Sequence, residues 1–417
     1  MTSPAANHSA LTALRHRDFR LYWFGQATSL VGTMMQRVAV AWQMYELTGS
    51  AAAMGLIGAC RLVPILVFSL VGGVIADRVD RRRIMMVATS VMVLSSTVLA
   101  WATFTGHITP SVLYACVTLT AIADAFNGPA RQALVPNLVP SEVLQQALTL
   151  SLLTWDVAGV AGPALGGLVL ASTGPAFIYA LDAVSYLAVI VAVALMRPRP
   201  FTPTSTSVGG VQAIREGLRF VFGQPLLVST MLLDFFATFF GQATVLFPVF
   251  AKDVLDVGAE GLGIMYSAPA TGSVLTGLVL AVLPPIRKHG RALVISVAVY
   301  GLATVVFGLS TEFVWTLGAL FVVGAADTVS TMLRQTLRQR LTPDELRGRM
   351  TSVNMIFFAG GPQLGEFESG IVAAWLGPAL AVTLGGAGVL VSVLVATLRV
   401  PALRRYTDES IVKGQTS

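Results

Sequence analysis

Charge is what this sequence lacks most. Asp, Glu, Lys and Arg make up 12% of its 417 residues, against about 25% in an average soluble domain. With 55% of its residues hydrophobic, the chain reads as an integral membrane protein. Cysteine is nearly absent. Cys60 and Cys116 both lie in apolar runs, which excludes a disulfide framework and any metal-ligand spacing and leaves small buried hydrophobes. Histidine is scarce too. His8, His16, His107 and His289 fall in tails or short polar connections, so an imidazole relay inside the membrane is not expected. No nucleotide loop, H-E-x-x-H, G-x-S-x-G or paired metal ligands occur. The chain is therefore not expected to be an enzyme or to hold a cofactor or metal. No soluble sensory domain of useful length is present. The N-terminus is polar to about Asp18, without a short apolar stretch or small-residue cleavage site, so no cleavable signal is read.

What the sequence has in abundance is long apolar runs. A helix needs about 20 apolar residues to cross a bilayer. Spans are expected near 19–44, 51–76, 83–105, 111–130, 148–172, 175–196, 224–251, 260–283, 291–310, 313–333, 350–375 and 378–398. This predicts an all-α membrane protein with twelve transmembrane helices. An even number of spans puts both termini on one side. By these boundaries that side carries 24 of the 27 Lys and Arg, with Lys252 opposite and Arg37 and Arg61 inside spans. Positive charge stays inside, so a bacterial inner-membrane protein with cytoplasmic termini is expected. The +6 net charge follows from topology and gives no reason to invoke nucleic acid.

The chain divides at "RPRPFTPTSTS", 197–207, a Pro/Ser/Thr-rich linker. After it Val211, Ile214, Leu218 and Val221 recur at helical spacing, as in an amphipathic helix lying on the membrane surface. The expected organisation is a tail (1–18), a six-helix bundle (19–196), a linker with surface helix (197–223), a second bundle (224–398) and a tail (399–417). The halves repeat. "DAFNGPARQALVPNLVPSE" (124–142) aligns with "DTVSTMLRQTLRQRLTPDE" (327–345), matching at Asp, Arg, Gln, two Leu, Pro and Glu. In both, Pro precedes a cap-forming residue and a Glu, the signature of a helix start. Two parallel six-helix repeats form one known transporter architecture.

One stretch runs against the scarcity of charge. "GGVIADRVDRRRIM" (72–85) packs Asp77, Arg78, Asp80, Arg81, Arg82 and Arg83 into seven residues between two spans. With the repeat, this stretch resembles the loop between helices 2 and 3 of major facilitator superfamily transporters, and the resemblance covers about 15–400. The matching residues are Gly73, Asp77, Arg78, Arg81 and Arg82. Asp80 departs from the usual Gly, although Asp also tolerates turns. The resemblance implies a cytoplasmic gate in which Arg81 pairs with Asp124 of span 4, while Asp77 meets the start of span 11 near Arg349 and Met350.

In span 5, "AGVAGPALGG" (158–167) resembles the signature of the superfamily's drug:proton antiporters through Gly162, Pro163, Gly166 and Gly167. Small residues permit close helix approach and Pro bends a helix. The family reading is a rigid face that shapes the inter-domain seam and blocks leakage; the alternative is ordinary small-residue packing. "RDFRLYWFGQATSLVG" at the start, the surface helix and "LDAVSYL" (181–187) are similar to the branch that includes enterobactin exporters and macrolide efflux pumps. The resemblance implies a monomeric proton-coupled exporter of a small amphipathic drug, macrolide or siderophore. A nutrient or organic-acid importer and a non-transporting sensor remain as alternatives.

Charge inside a span costs several kcal/mol unless paired or hydrated. Asp234, Glu366, Glu368 and Asp327 are the proton-coupling candidates, because a buried carboxylate can exchange protons near working pH. Arg37, Arg61, Asp156 and Gln242 are candidates for the substrate cavity. Glu366 and Glu368, two residues apart, point about 200° apart on a helix, so one faces the cavity and the other caps or pairs. Asp124 and Asp327 each precede an Arg by seven residues, and lock and proton carrier both stand open for Asp124. Asp182 reads as a capped, structural residue. Phe235, Phe236, Phe239 and Phe240 read mainly as packing.

Overall fold

A computed structural model describes residues 10–197, 218–284, 286–343, 346–401 and 403. The first six long helices are α1 (Arg17–Thr48), α2 (Ala51–Arg78), α3 (Arg81–Phe104), α4 (Pro110–Leu134), α5 (Leu144–Thr173) and α6 (Pro175–Ala194). The rest are α7 (Pro225–Gly241, continuing through short turns to Val254), α8 (Gly258–Val282), α9 (His289–Leu309), α10 (Phe313–Leu341), α11 (Arg347–Leu376) and α12 (Pro378–Arg399). Among the described residues, ten of these twelve stretches are long and apolar enough to cross a membrane. The exceptions are α1, diluted by Gln26, Thr28, Ser29, Thr33, Gln36 and Arg37, and α11, which carries Glu366 and Glu368. Of the expected linker and surface helix, residues 198–217 lie outside the described residues; residues 218–222 are helical.

The chain forms two units, Met1–Thr48 with Val63–Thr206, and Gly49–Leu62 with Ser207–Ser417. The first turns of α2 group with the second unit. Within the first unit α1 packs on α5 and α6, and α3 on α4 and α6. Within the second, α7 packs on α11 and α12, and α9 on α10 and α12. The same four pairings recur six helices later. A shared turn marks the repeat: Gly174 (φ 81°) and Gly377 (φ 84°) stand 203 positions apart, each followed by the Pro that opens the next helix. That is the offset of the sequence repeat. Both glycines occupy the left-handed region, where an L side chain is strained.

The antiporter-like face of α5 is buried against α1 within the first unit. A Cβ at Gly162 would stand 2.4 Å from Met34 Cβ, and one at Gly166 3.0 Å from Met35 Cα. Beside this seam lies an apolar core around Phe19, Tyr22, Met85, Leu134 and Val193.

The charge cluster that opens α3 caps helices. Asp80 is the N-cap of α3, with Oδ1 accepting from Arg82 N at 3.0 Å. Its φ of −55° needs no glycine, and a carboxylate there satisfies an orphaned amide and faces the positive end of the helix dipole. This accounts for Asp80 in place of Gly. Arg82 donates to the carbonyls of Val193, Met196 and Arg197, closing the C-terminus of α6. Arg81 donates to Ala133 O at 3.0 Å, at the end of α4. The expected Arg81–Asp124 pair is not made. Asp124 lies nine residues from Ala133, about 13 Å along the helix, and among the described residues no ion pair reaches it. At Gly73, Asp77, Arg78 and Arg349 only the helical backbone is described, and their side-chain surroundings lie outside the described residues. Replacing Asp80 with Ala is expected to lower stability by about 1 kcal/mol, and with Gly by only a few tenths. Thermal unfolding in detergent measures both; equal losses would show that the cap does not stabilise α3.

Candidate functional site

Two charged centres lie in the second unit. The deeper one joins α7 to α10. Asp234 is buried on α7, and its Oδ1 stands 2.8 Å from Arg334 Nη2 on α10, the two side chains being 5% and 3% exposed. Arg334 also donates to Ser330 Oγ and Thr331 Oγ1, both at 2.8 Å, and lies 3.9 Å from Asp327. Ser330, Thr331 and Asp327 share α10 with Arg334 at spacings of four, three and seven, so one face of the helix surrounds the guanidinium. Apolar packing by Leu233, Leu333 and Ala326 excludes water around it.

This corrects the placement of Arg334. The expected span ended at 333 and left Arg334 on the cytoplasmic side. Helix α10 runs to Leu341, about two turns further, and Leu337 is buried there. Asp234, expected as a free proton carrier, is instead held by a buried cation. The side chain of Asp327 is half exposed.

The second centre forms where α7 breaks. Helical geometry stops at Gln242, with φ −80° and ψ 89°. Six residues on, Pro248 has no N–H to return to the carbonyl of Thr244. Tyr266 of α8 supplies the missing donor, its Oη 3.0 Å from Thr244 O. The freed carbonyl of Gln242 accepts from Ser369 Oγ of α11 at 3.1 Å. Both interruptions are thus satisfied by side chains of neighbouring helices, as a broken membrane helix requires. Gln242 Nε2 donates to Thr244 Oγ1 at 2.8 Å, and Thr244 Oγ1 stands 3.4 Å from Glu366 Oε1.

Arg61 completes this centre, its Nη1 3.6 Å from Glu366 Oε2, the side chains being 24% and 12% exposed. The first turns of α2 reach it through small residues. A Cβ at Gly58 would meet Gln363 O at 2.7 Å, and one at Gly370 would meet Gly55 Cα at 2.5 Å. The helices touch at the backbone there, which sets Arg61 beside Glu366. Glu368 turns away, with Ser369 Oγ 3.5 Å from its Oε2. Gln363 Oε1, one turn before Glu366, is a buried acceptor with no protein partner.

Of the residues expected from sequence, Arg61, Gln242, Glu366 and Glu368 come together here, and Asp234 and Asp327 in the deeper centre. Arg37 and Asp156 sit on exposed positions of the first unit. Sequence reading missed Arg334, Thr244, Tyr266, Ser369 and Gln363. The spacing of Asp327 from Arg334 was visible, and Pro248 signalled a break; the other three are uncharged and carried no signal. Phe235 and Phe239 stack at 5.9 Å, and Phe236 and Phe240 at 6.1 Å. Phe240 packs on Gly388 of α12.

Solved structures with the same architecture are transporters. A bacterial homologue of the human lysosomal transporter Spinster, in an inward-facing and unoccupied conformation, aligns with a TM-score of 0.69 at 16% identity, over 93% of this chain and 96% of that one. A peptide transporter aligns at 0.72 and 12% identity, over 94% and 95%. Twelve helices in two repeated units with that likeness define the major facilitator fold. Residues 8–413 match the model described as "Transmembrane secretion effector". The chain belongs to that family of multi-pass membrane proteins. Enterobactin exporters of Salmonella choleraesuis and Escherichia coli O157:H7 are each 27% identical to it. The first alignment covers 397 residues and the second 395, 94% of both chains in each case.

Proposed function

We propose that this protein is a proton-coupled exporter of a small amphipathic molecule, with both termini cytoplasmic in a bacterial inner membrane, working by alternating access as a monomer. The observation that carries the reading is the Arg61–Glu366 pair beside the break in α7. Interrupted helices present backbone and side-chain groups for solute and ion binding. A charge pair that is neither fully buried nor closely bonded can be opened. In this mechanism Glu366 takes up a proton, Arg61 is released, and the freed cation, with Gln242, Thr244 and Gln363, meets the substrate. Loss of the proton restores the pair and expels the substrate. Glu368 and Asp327 are secondary proton sites, and the Asp234–Arg334 pair fixes the α7–α10 frame.

An anionic substrate suits Arg61; a cationic one suits the glutamates. The likeness to enterobactin exporters makes a siderophore the first anionic candidate, and antibiotics and dyes are the first cationic ones. The test is a deletion strain challenged with antibiotics and dyes, with siderophore assayed in the medium, followed by the purified protein in liposomes under an imposed pH gradient. Export that requires the gradient is expected. Proton-dependent uptake of a sugar or organic acid without efflux would establish an importer instead, and no movement of solute or protons would end the transporter mechanism proposed here.

A further inference from the structure

The motif "LDAVSYL" encloses a carboxyl group that the exporter mechanism leaves unused. Asp182 of α6 is fully buried, 0% exposed. Two other interior acids, Asp234 and Glu366, each face an arginine. Among the described residues no cation pairs with Asp182. Its surroundings are hydroxyls and an amide. Ser96 of α3 stands 2.8 Å from Oδ2 and accepts in turn from Gln36 Nε2 of α1 at 2.9 Å, so the Ser96 proton points at Asp182. The Ser185 hydroxyl donates to the main-chain oxygen of Asp182 at 2.7 Å and stands 3.4 Å from Oδ1. The Thr33 hydroxyl shares a hydrogen bond with Tyr186 Oη at 2.9 Å.

Helix α1 seals the site. Gly32 lies so close that a Cβ there would stand 2.6 Å from Ser185 Oγ and 3.0 Å from Asp182 Oδ1. The titratable neighbour on the same helix is Tyr186, whose own surroundings include Asp124 on α4 and Arg37 on α1; α3 beyond Arg83 carries none. A carboxylate sealed from water, held by neutral hydroxyls and no cation, lacks what stabilises a buried charge.

We propose that the motif is a proton-binding site of the first unit, in which Asp182 stands as a neutral carboxylic acid that accepts from Ser96 at Oδ2 and keeps its own proton on Oδ1, facing Ser185. The proton is what allows α1, α3 and α6 to close over the group. This site is separate from Glu366 and does not rest on the exporter mechanism.

Infrared difference spectroscopy of the purified protein at neutral pH tests it. Wild type minus Asp182→Asn is expected to show a protonated-carboxyl C=O band. Ser96→Ala should shift that band to higher frequency by removing the donor to Oδ2, and Glu366→Gln should leave it in place. Asp182→Asn, a neutral mimic, should unfold thermally at the wild-type temperature. If Asp182→Asn does not fold, the Ser96→Ala shift alone decides. Absence of the band, or a carboxylate band lost in Asp182→Asn, would overturn the proposal. So would a sodium-dependent thermal stabilisation that Asp182→Asn abolishes, because the site would then hold a metal cation in place of a proton.

Discussion

Arg334→Ala is expected to leave almost no folded protein in detergent, while Arg334→Gln combined with Asp234→Asn restores most of it. The single change strands Asp234, a side chain 5% exposed, with its guanidinium partner gone. Removing one member of a buried ion pair costs about 3–5 kcal/mol, because the other charge stays buried without compensation. Total stabilities run to about 5–15 kcal/mol, so the loss is a large fraction of what holds the fold. Neutralising both members removes the stranded charge, and neutral replacement of a buried pair is often well tolerated. Asp234→Asn alone should be intermediate, since Arg334 keeps Ser330, Thr331 and Asp327 as partners. Size-exclusion profiles and thermal unfolding of wild type, Arg334→Gln, Asp234→Asn and the double variant form a double-mutant cycle. Additive losses would show that the pair does not stabilise the unit.

Glu366→Gln is expected to reduce pH-gradient-driven export to the level of empty liposomes while leaving the protein folded. The pair it breaks is longer than that of Asp234, at 3.6 Å, and its members keep some exposure, so the stability cost is smaller. What disappears is the group proposed to exchange a proton against the release of Arg61. Substrate exchange without a gradient should survive, because the amide can still meet Thr244. Glu368→Gln should lower the driven rate only partly, since Glu368 faces Ser369 and no arginine. Export by Glu366→Gln at the wild-type rate under a pH gradient would remove Glu366 from the coupling step.

The two centres show why part of the site was readable and part was not. Arg61, Gln242, Glu366 and Glu368 stood out because charge and amide are rare in apolar runs, so each called for a role before any contact was known. Arg334 was visible but misplaced. Past residue 333 the α10 sequence becomes as basic as a cytoplasmic loop, and hydropathy cannot distinguish a loop from helical turns whose cations face a carboxylate on another helix. The Arg81–Asp124 pairing failed for a related reason. Motif and spacing said which residues were present, but the distance along α4 put the carbonyl of Ala133 nearer than the carboxylate of Asp124. Tyr266, Ser369 and Gln363 left no trace in sequence because uncharged side chains in a membrane helix are ordinary. The importance of Tyr266 and Ser369 comes from two carbonyls that the break in α7 leaves open.

The sequence by itself determined the membrane class, the near-complete set of spans, the repeat at an offset of 203 and the family. The class and the spans rest on composition and local periodicity, set by the cost of placing backbone and charge in hydrocarbon; the repeat rests on matched residues and the family on resemblance to known motifs. Only the tertiary structure decided the pairings: Arg334 with Asp234, Arg61 with Glu366, and Asp182 with hydroxyls alone. These join residues roughly 90 to 300 positions apart. Their geometry follows from which helices touch and through which small residues, and no local pattern in the chain encodes that.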